Sequence, residues 1–439
     1  MPRIALAAAL LALSAAAPAQ AATQYPPPSN PTGAKGKPKG PFKTRYVCEK
    51  KAAHGCFHTI QAAVDAAKAG DSIIVPDGTY KEAVRISGAK KRYIKLLGNT
   101  ETPARVVLQG SNKRQNGVFI NGADQVTVKG FSAKNYRANG FFVVNATGYT
   151  FRNLVATHTG TYGVYAFNSV GGSIIDSAAS QNNDSGFYIG QTPVQAKPQR
   201  SMVRNVSSYE NVLGFSGTNM RYVTITRSLF FNNGVGIVPN ALDSEKYAPP
   251  EHNVITDNEV FWNNFNYFLG APFEVKPGAT GDLAYPVGTG ILLYGSRDTK
   301  VTNNRIFGHY LVGLGMVEAL TLKQKDAMDL VGNQFTGNTF GQNTLAETPG
   351  PDLNNIDIAY DGNGSNNCIS GNTGVAVTIP ADQSTFVACP FTGANAFSQD
   401  ALGQMVAPAV ADDHEQYWVK RTQPHPAIDG FTPLEHYTK

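Results

Sequence analysis

Histidine, cysteine and long apolar runs are all scarce in this chain, and each scarcity narrows what it can be. Its eight histidines are scattered, with His414, His425 and His436 spread over the C-terminal end, which argues against a dedicated transition-metal site. Its four cysteines include no Cys-x-x-Cys pair and have no paired histidines beside them, so zinc is the weaker reading. After the N-terminus no segment approaches the roughly 20 apolar residues a spanning helix needs, and no membrane span is expected.

What is present begins with a secretory pattern. Arg3, the apolar run Ile4–Ala17 and the small residues Ala19-Gln20-Ala21 read as a signal peptide over 1–21. Residues 22–44 are rich in Pro, Gly and Lys, bury almost nothing and read as a disordered spacer. This end also holds the excess positive charge. Positions 1–51 carry eight basic residues and one acid, leaving 29 basic against 31 acidic elsewhere. The folded body is near neutral, so a nucleic-acid footprint is not supported. Secretion, or export to a periplasm or cell wall, is the expected location, with the protein acting as a monomer. In such a compartment four cysteines suggest two disulfides. Cys48 and Cys56 lie close together, and Cys368 and Cys389 are 21 apart, close to one repeat unit, so pairings 48–56 and 368–389 are expected.

That repeat is the main signal. Gly117-Val-Phe-Ile, Gly140-Phe-Phe-Val, Gly163-Val-Tyr-Ala and Gly186-Phe-Tyr-Ile follow one another at steps of 23 residues. Gly214, Gly236, Gly290 and Gly313 continue the series, with Asn-rich turns between. A fixed period of this size, with short strands and no intervening helices, selects a β-solenoid. The expected fold is all-β, a single-stranded right-handed parallel β-helix of about 10–11 coils over 45–399. Asn suits its corners because it tolerates left-handed backbone and can ladder its amide from coil to coil. Val118/Ile120, Phe141/Val143 and Phe187/Ile189 should point inward, because strand faces alternate. Thr59–Ala69 has Ile60, Ala63, Val64 and Ala67 on one face and Gly70 behind it, and reads as a short capping helix. Residues 400–439 lose the repeat but keep Tyr417, Trp418, Phe431 and Tyr437, as expected of a tail that packs on or caps the solenoid.

The segment Phe57–Ile86, with its helix and its Ser72-Ile-Ile-Val-Pro-Asp-Gly-Thr-Tyr strand and turn, resembles the entry of pectate-lyase-like β-helix proteins. The resemblance implies right-handedness and carbohydrate-related work, so polysaccharide or cell-wall glycan is the expected partner. No catalytic motif transfers. The Asp-Phe-Ile-Phe-Gly and Gly-Arg-Pro-Trp of pectin methylesterases are absent, as are the Asn-Thr-Asp, Gly-His-Gly and Arg-Ile-Lys of polygalacturonases. The Asp-Pro-His-Asp of alginate epimerases is missing too, and the one Asp-Asp pair, Asp412-Asp413, lies in the tail. A metal-handling solenoid of the copper-maturation kind fits the repeat but lacks Met/His clusters.

Candidate site residues follow from the coil arithmetic. Phe119, Phe142, Tyr165 and Tyr188 fall at one outward position on four successive coils. Exposed, they form a stacking platform for sugar rings; buried, they floor an insertion or the tail. Insertions at Gln191–Arg200, Asn240–Glu251 and Phe265–Thr289 break the period and could wall a binding face. Turn residues before the ladder strands are the catalytic candidates. For a lyase or uronate epimerase, Arg137 or Lys134 would neutralise the substrate carboxylate and His158 or Tyr162 would take the C5 proton. For an inverting glycoside hydrolase, Asp184 and Glu210 would pair. Tyr209 joins Lys134 as a substrate contact. Asp352, Asp357 and Asp361, among Asn354, Asn355 and Asn363, are where calcium would bind as cofactor. The remaining alternative is a non-catalytic glycan-binding surface protein.

Overall fold

The structure, a computed structural model, describes residues 36–48, 55–265, 286–323, 327–343, 345 and 349–410. The signal peptide, most of the spacer, much of the largest insertion and the tail aromatics fall outside these residues.

The glycine that opens each repeat is explained by the distance between coils. A Cβ on Gly117 would lie 2.5 Å from the Gly140 carbonyl oxygen, and one on Gly290 would lie 2.4 Å from that of Gly313. The same conflict arises at Gly140, Gly163, Gly214 and Gly236. Consecutive coils therefore touch backbone to backbone at this column, and only glycine fits. From each glycine runs a short strand. Eleven strands, from Val84–Ser87 to Thr378–Ile379, eight of them opened by these glycines, pair in parallel as one sheet, the third of the coil's three faces and hence the third sheet. The other two sides of each coil belong to an 18-stranded sheet folded along its length. Val126–Lys134, Tyr149–Thr157, Ser173–Ser180 and Ser201–Tyr209 run through that fold, each bending at a left-handed residue: Gly130, Asn153, Asp176 and Asn205. Three parallel faces wound from one chain make a right-handed parallel β-helix. Among the described residues the antiparallel contacts are Gln342–Asn343 with Gly350–Pro351 and the isolated bridge Ser365–Ala394.

The alternation places Val118, Ile120, Phe141, Val143, Phe187 and Ile189 in the core with no exposure. The entry helix, α1, spans Ile60–Ala66. Thr59 caps it by accepting from the Ala62 amide at 3.0 Å, and the Glu82 carboxylate accepts from the Ile60 and Gln61 amides. At its other end Lys91 Nζ donates to the carbonyls of Val64, Asp65 and Ala67, countering the negative end of the helix. Ile60, Ala63 and Val64 close the core from above. The disulfides are Cys48–Cys56 and Cys368–Cys389, with Cα separations of 5.3 and 5.0 Å. A second helix, α2 (Gln399–Val410), lies beside the last strands of the third sheet.

At the corners, two neighbouring residues divide the work that the sequence assigns to asparagine alone. One takes left-handed backbone and the next turns an amide inward. The pairs Glu210/Asn211, Asn232/Asn233, Trp262/Asn263 and Gly308/His309 show this at one corner, where the first member always has positive φ. The inward members form a buried column. Asn182 Nδ2 donates to Asn211 Oδ1 at 2.8 Å, Asn211 to Asn233 at 3.1 Å and Asn233 to Asn263 at 3.0 Å. Asn263 then meets His309 Nε2 at 3.1 Å. A second column runs Asn258–Asn304–Asn338–Asn372, and a third Asn333–Asn367–Asn395. Each amide satisfies backbone groups that a corner would otherwise bury unpaired.

Candidate active site on the third sheet

The outer side of the third sheet carries the aromatic column. Its register aligns Arg85 with Phe119, Phe119 with Phe142, Phe142 with Tyr165 and Tyr165 with Tyr188. The Arg85 guanidinium sits 5.3 Å from the Phe119 ring centre, a cation–π contact. Ring centres follow at 5.1 Å (Phe119–Phe142), 4.3 Å and nearly parallel (Phe142–Tyr165), and 4.9 Å edge-on (Tyr165–Tyr188). Tyr162, from the adjacent column, fits between Tyr165 and Tyr188 at 4.6 and 4.7 Å. Phe119, Phe142, Tyr162 and Tyr165 are half-buried, whereas Tyr188 is only 2% exposed.

Tyr188 is covered by the insertion after Asn240. Its hydroxyl donates to Glu245 Oε1, so residues 241–248 form a strap over the end of the column. Asn219 holds the strap by donating to the carbonyls of Leu242, Glu245 and Lys246 at 2.9, 3.0 and 3.1 Å. The Lys246 amide donates to Gln191 Oε1. Ala241 and Ala248 pack against Ala319, Leu322 and Ala327 of a later excursion, and the Lys323 amide donates to Asp243.

Two carboxyls bracket the tyrosines. Burial pushes Glu245 up to about 7 even though Tyr188 donates to it. Burial likewise pushes Asp184 up to about 7 against the hydrogen bond it accepts from Ser185 at 2.7 Å. Burial first, then the nearby negative charges of Glu245 and Asp184, raise the Tyr165 hydroxyl well above its usual value. The same tyrosine thus senses both acids. Two carboxyls that titrate near neutrality in an aromatic setting can each give and accept a proton.

The other candidates lie round the corner. Lys134 is exposed on the second face, in register with Thr157, Ser180 and Tyr209. His158 and Glu210 are left-handed corner residues with φ of 53° and 55°. Burial and then Lys134 lower the His158 pKa. Glu210 Oε2 accepts from Gln181 at 2.9 Å, and the acid that shares the Tyr165 neighbourhood with Asp184 is Glu245. Arg137 is exposed, its amide bonded to the Arg114 carbonyl one coil below, which sets both arginines beside the ladder strands. Tyr209 heads a separate stack, with Phe231, Phe261 and Phe307 at 5.2, 5.2 and 5.0 Å, buried with Trp262 and Leu345.

The acidic turns suggested for calcium take protein donors on at least one oxygen of each carboxylate, while Asp361 Oδ2 is buried without a partner. Asp357 accepts from the Asn354 side chain and from the Ala376 and Val377 amides. Asp352 accepts from Trp262 Nε1, and Asp361 from the Asn363 amide. Among the described residues no three His, Cys, Asp or Glu side chains are grouped to hold a metal ion.

Two features of the structure escape sequence reasoning. Glu245 sits in an insertion without period, so no coil arithmetic reaches it. A column at another corner stacks Tyr222 on His252 at 5.0 Å, with His252 Nδ1 3.6 Å from Asp298. The near-neutral charge of the body beyond residue 51 also conceals a division. Residues 78–165 carry thirteen Lys and Arg against three Asp and Glu, whereas residues 166–410 carry twelve against twenty. The half-open end of the aromatic column belongs to the basic part.

These features define the class: the chain is a right-handed parallel β-helix. Residues 68–272 match the family model of the periplasmic copper-binding protein NosD. No curated protein matches the chain. Among solved structures, the A-module of the Azotobacter vinelandii mannuronan C-5 epimerase AlgE4 is 16% identical, over 71% of this chain and 91% of that one, with a TM-score of 0.44. The alginate lyase from a Paenibacillus species is 14% identical, over 76% and 97%, at 0.43. Likenesses at these levels say nothing of chemistry.

Proposed function

We propose that this protein binds an acidic polysaccharide outside the cytoplasm along the outer side of its third sheet, and that Asp184 and Glu245 move protons on it as a lyase or C5 epimerase does. One observation carries this reading: a half-open aromatic column in the basic part of the solenoid runs into two carboxyls that titrate near neutrality. Sugar rings would lie on Phe119, Phe142 and Tyr165. Arg85, Arg114 and Arg137 would face the uronate carboxylates, whose neutralisation makes the C5 proton acidic enough to remove. Asp184, ionised and beside Tyr162, would take that proton, and Glu245, protonated, would give one back. Given to the departing 4-O oxygen, so that the linked sugar leaves as its alcohol, it would make a lyase; given to the opposite face of C5, an epimerase. Two disulfides suit an exported protein.

The copper of the matched family model's name does not fit the described residues. All four cysteines are in disulfides, His309, fully buried, is spent on Asn263 and Asn354, and His158 and His252 stand at different corners, with no three His, Cys, Asp or Glu side chains grouped among the described residues. A non-catalytic glycan-binding role is the second reading, favoured by the strap that covers Tyr188.

The test is purified protein against polygalacturonate, alginate, a neutral glucan and single-stranded DNA. Calorimetry would measure binding, ultraviolet absorbance unsaturated products, proton NMR C5 inversion, and a reducing-sugar assay hydrolysis. Binding to the acidic polymers with turnover lost in Asp184→Asn is expected. Binding without turnover leaves the binder. Failure to bind either acidic polymer, or tighter binding to the glucan or DNA, overturns both.

A further inference from the structure

Among the described residues the aromatic column is open in one direction only. Towards the N-terminus it ends at Arg85, which is exposed. In the other direction the outward register passes from Tyr188 to Ser216 and Val238, which are 3% and 2% exposed. The strap covers the first step. Beyond it an apolar cluster that includes Val238, Phe265, Val287 and Ala401 buries the face. The strap is not poised to swing. Asn219 alone makes four hydrogen bonds to it, three donated and one accepted from the Leu242 amide. The later excursion braces it from outside through Asp243 and the alanine contacts.

Resting on the functional reading above, we infer that this groove is blind and that the site takes the terminal sugar of an acidic glycan, with Glu245 as a specificity-determining residue. A chain lying along the ladder enters over Arg85 and Phe119 and must stop at Tyr165. Its last ring then faces Tyr162 and Asp184 and abuts the strap. An internal sugar cannot take that place, because the chain beyond it would have to pass through residues 241–248. Chain-end reading also makes the number of ends, rather than the mass of polymer, the quantity that sets occupancy.

The experiment compares long and short chains of polygalacturonate and of alginate at equal molar concentration of chains. Equal affinity per chain, regardless of length, is expected. A bulky fluorophore on the reducing end tells which end is read: loss of binding assigns the reducing end, and retention the other. A variant with the strap shortened between Leu242 and Lys246, checked for folding by circular dichroism, should gain about ten-fold in affinity for the long chains alone, a shift in specificity rather than overall strength. Glu245→Ala is the milder variant, with a smaller shift in the same direction. Affinity per chain that rises in proportion to length in the wild-type protein overturns the inference, even while glycan binding itself stands. If nothing in the panel binds, the functional reading falls first.

Discussion

The two halves of this solenoid share one coil geometry and fill it differently. In the early coils Phe131, Leu154 and Tyr136 occupy the corners, and apolar burial holds the turns. In the later coils the equivalent corners carry columns of asparagine amides. The outer side of the third sheet differs in the same sense. Early, it presents aromatic rings and basic neighbours, half open. Late, it presents Val238, Leu292 and Ala359 beneath other parts of the chain. Backbone stacking sets the frame, and what covers each face decides whether it can bind anything.

Removing one amide from the later half should have the largest effect. Asn304 donates to the carbonyls of Ile255 and Thr302 and accepts from Asn258. Asn304→Ala should therefore lower stability by about 4 kcal/mol, since several buried groups lose partners at once. Leu154→Ala in the early half should cost about 3 kcal/mol, through the cavity it leaves. Hydrogen exchange resolves the loss coil by coil, because each coil leans on its neighbours. A cost below about 1 kcal/mol for Asn304→Ala would mean the amides do not replace the apolar corners.

Binding separates the halves next. Phe142→Ala and Tyr165→Ala should each weaken glycan binding about ten-fold, through lost stacking area. Leu292→Ala, on the covered part of the same sheet, should leave it unchanged. Arg137→Glu should weaken binding and Arg305→Glu should not, with the first effect shrinking as salt is raised. Equal losses from Leu292→Ala and Phe142→Ala in calorimetry would end the comparison.

The smallest effects are in pH, and they run in opposite directions. Asp184 and Glu245 are held neutral in the fold up to about 7. Their contribution to stability is complete below their unfolded values, about 4, and is lost as pH rises towards 7. Asp184→Asn and Glu245→Gln should flatten that loss, and glycan affinity in the wild type should fall as the two acids ionise beside a polyanion. In the later half, burial pushes His309 down to about 4. Its contribution is present above the unfolded value near 6.5 and disappears as pH falls to about 4. Urea unfolding between pH 4 and 8 reads both, and a profile insensitive to all three side chains would contradict the burial argument.

Much of this was legible beforehand, for a reason visible at Gly117 and Gly140. A column that excludes Cβ must recur in the sequence, so the step of 23 residues carries the coil length and the vertical neighbours with it. Both cysteine pairings follow from sequence spacing. The capping helix is shorter than its apolar pattern, because Ala67 is already extended. The strap's segment was legible as a break in the period that could wall the face, but its contact was not, since Glu245 reaches Tyr188 across 57 residues of chain through an insertion that obeys no period. Nor was the burial that turns Asp184 into a near-neutral acid. Composition counts the carboxyls but does not say which of them loses water.

The two cystines close the account at the tips of the spring. A stack of this kind frays from its terminal turns, where each layer has a neighbour on one side only. Cys48–Cys56 fastens the first turn and Cys368–Cys389 the last, with no covalent tie between. Reductant should therefore loosen both tips while the middle layers hold, and the molecule's durability is set by the redox state of its surroundings at just those two places.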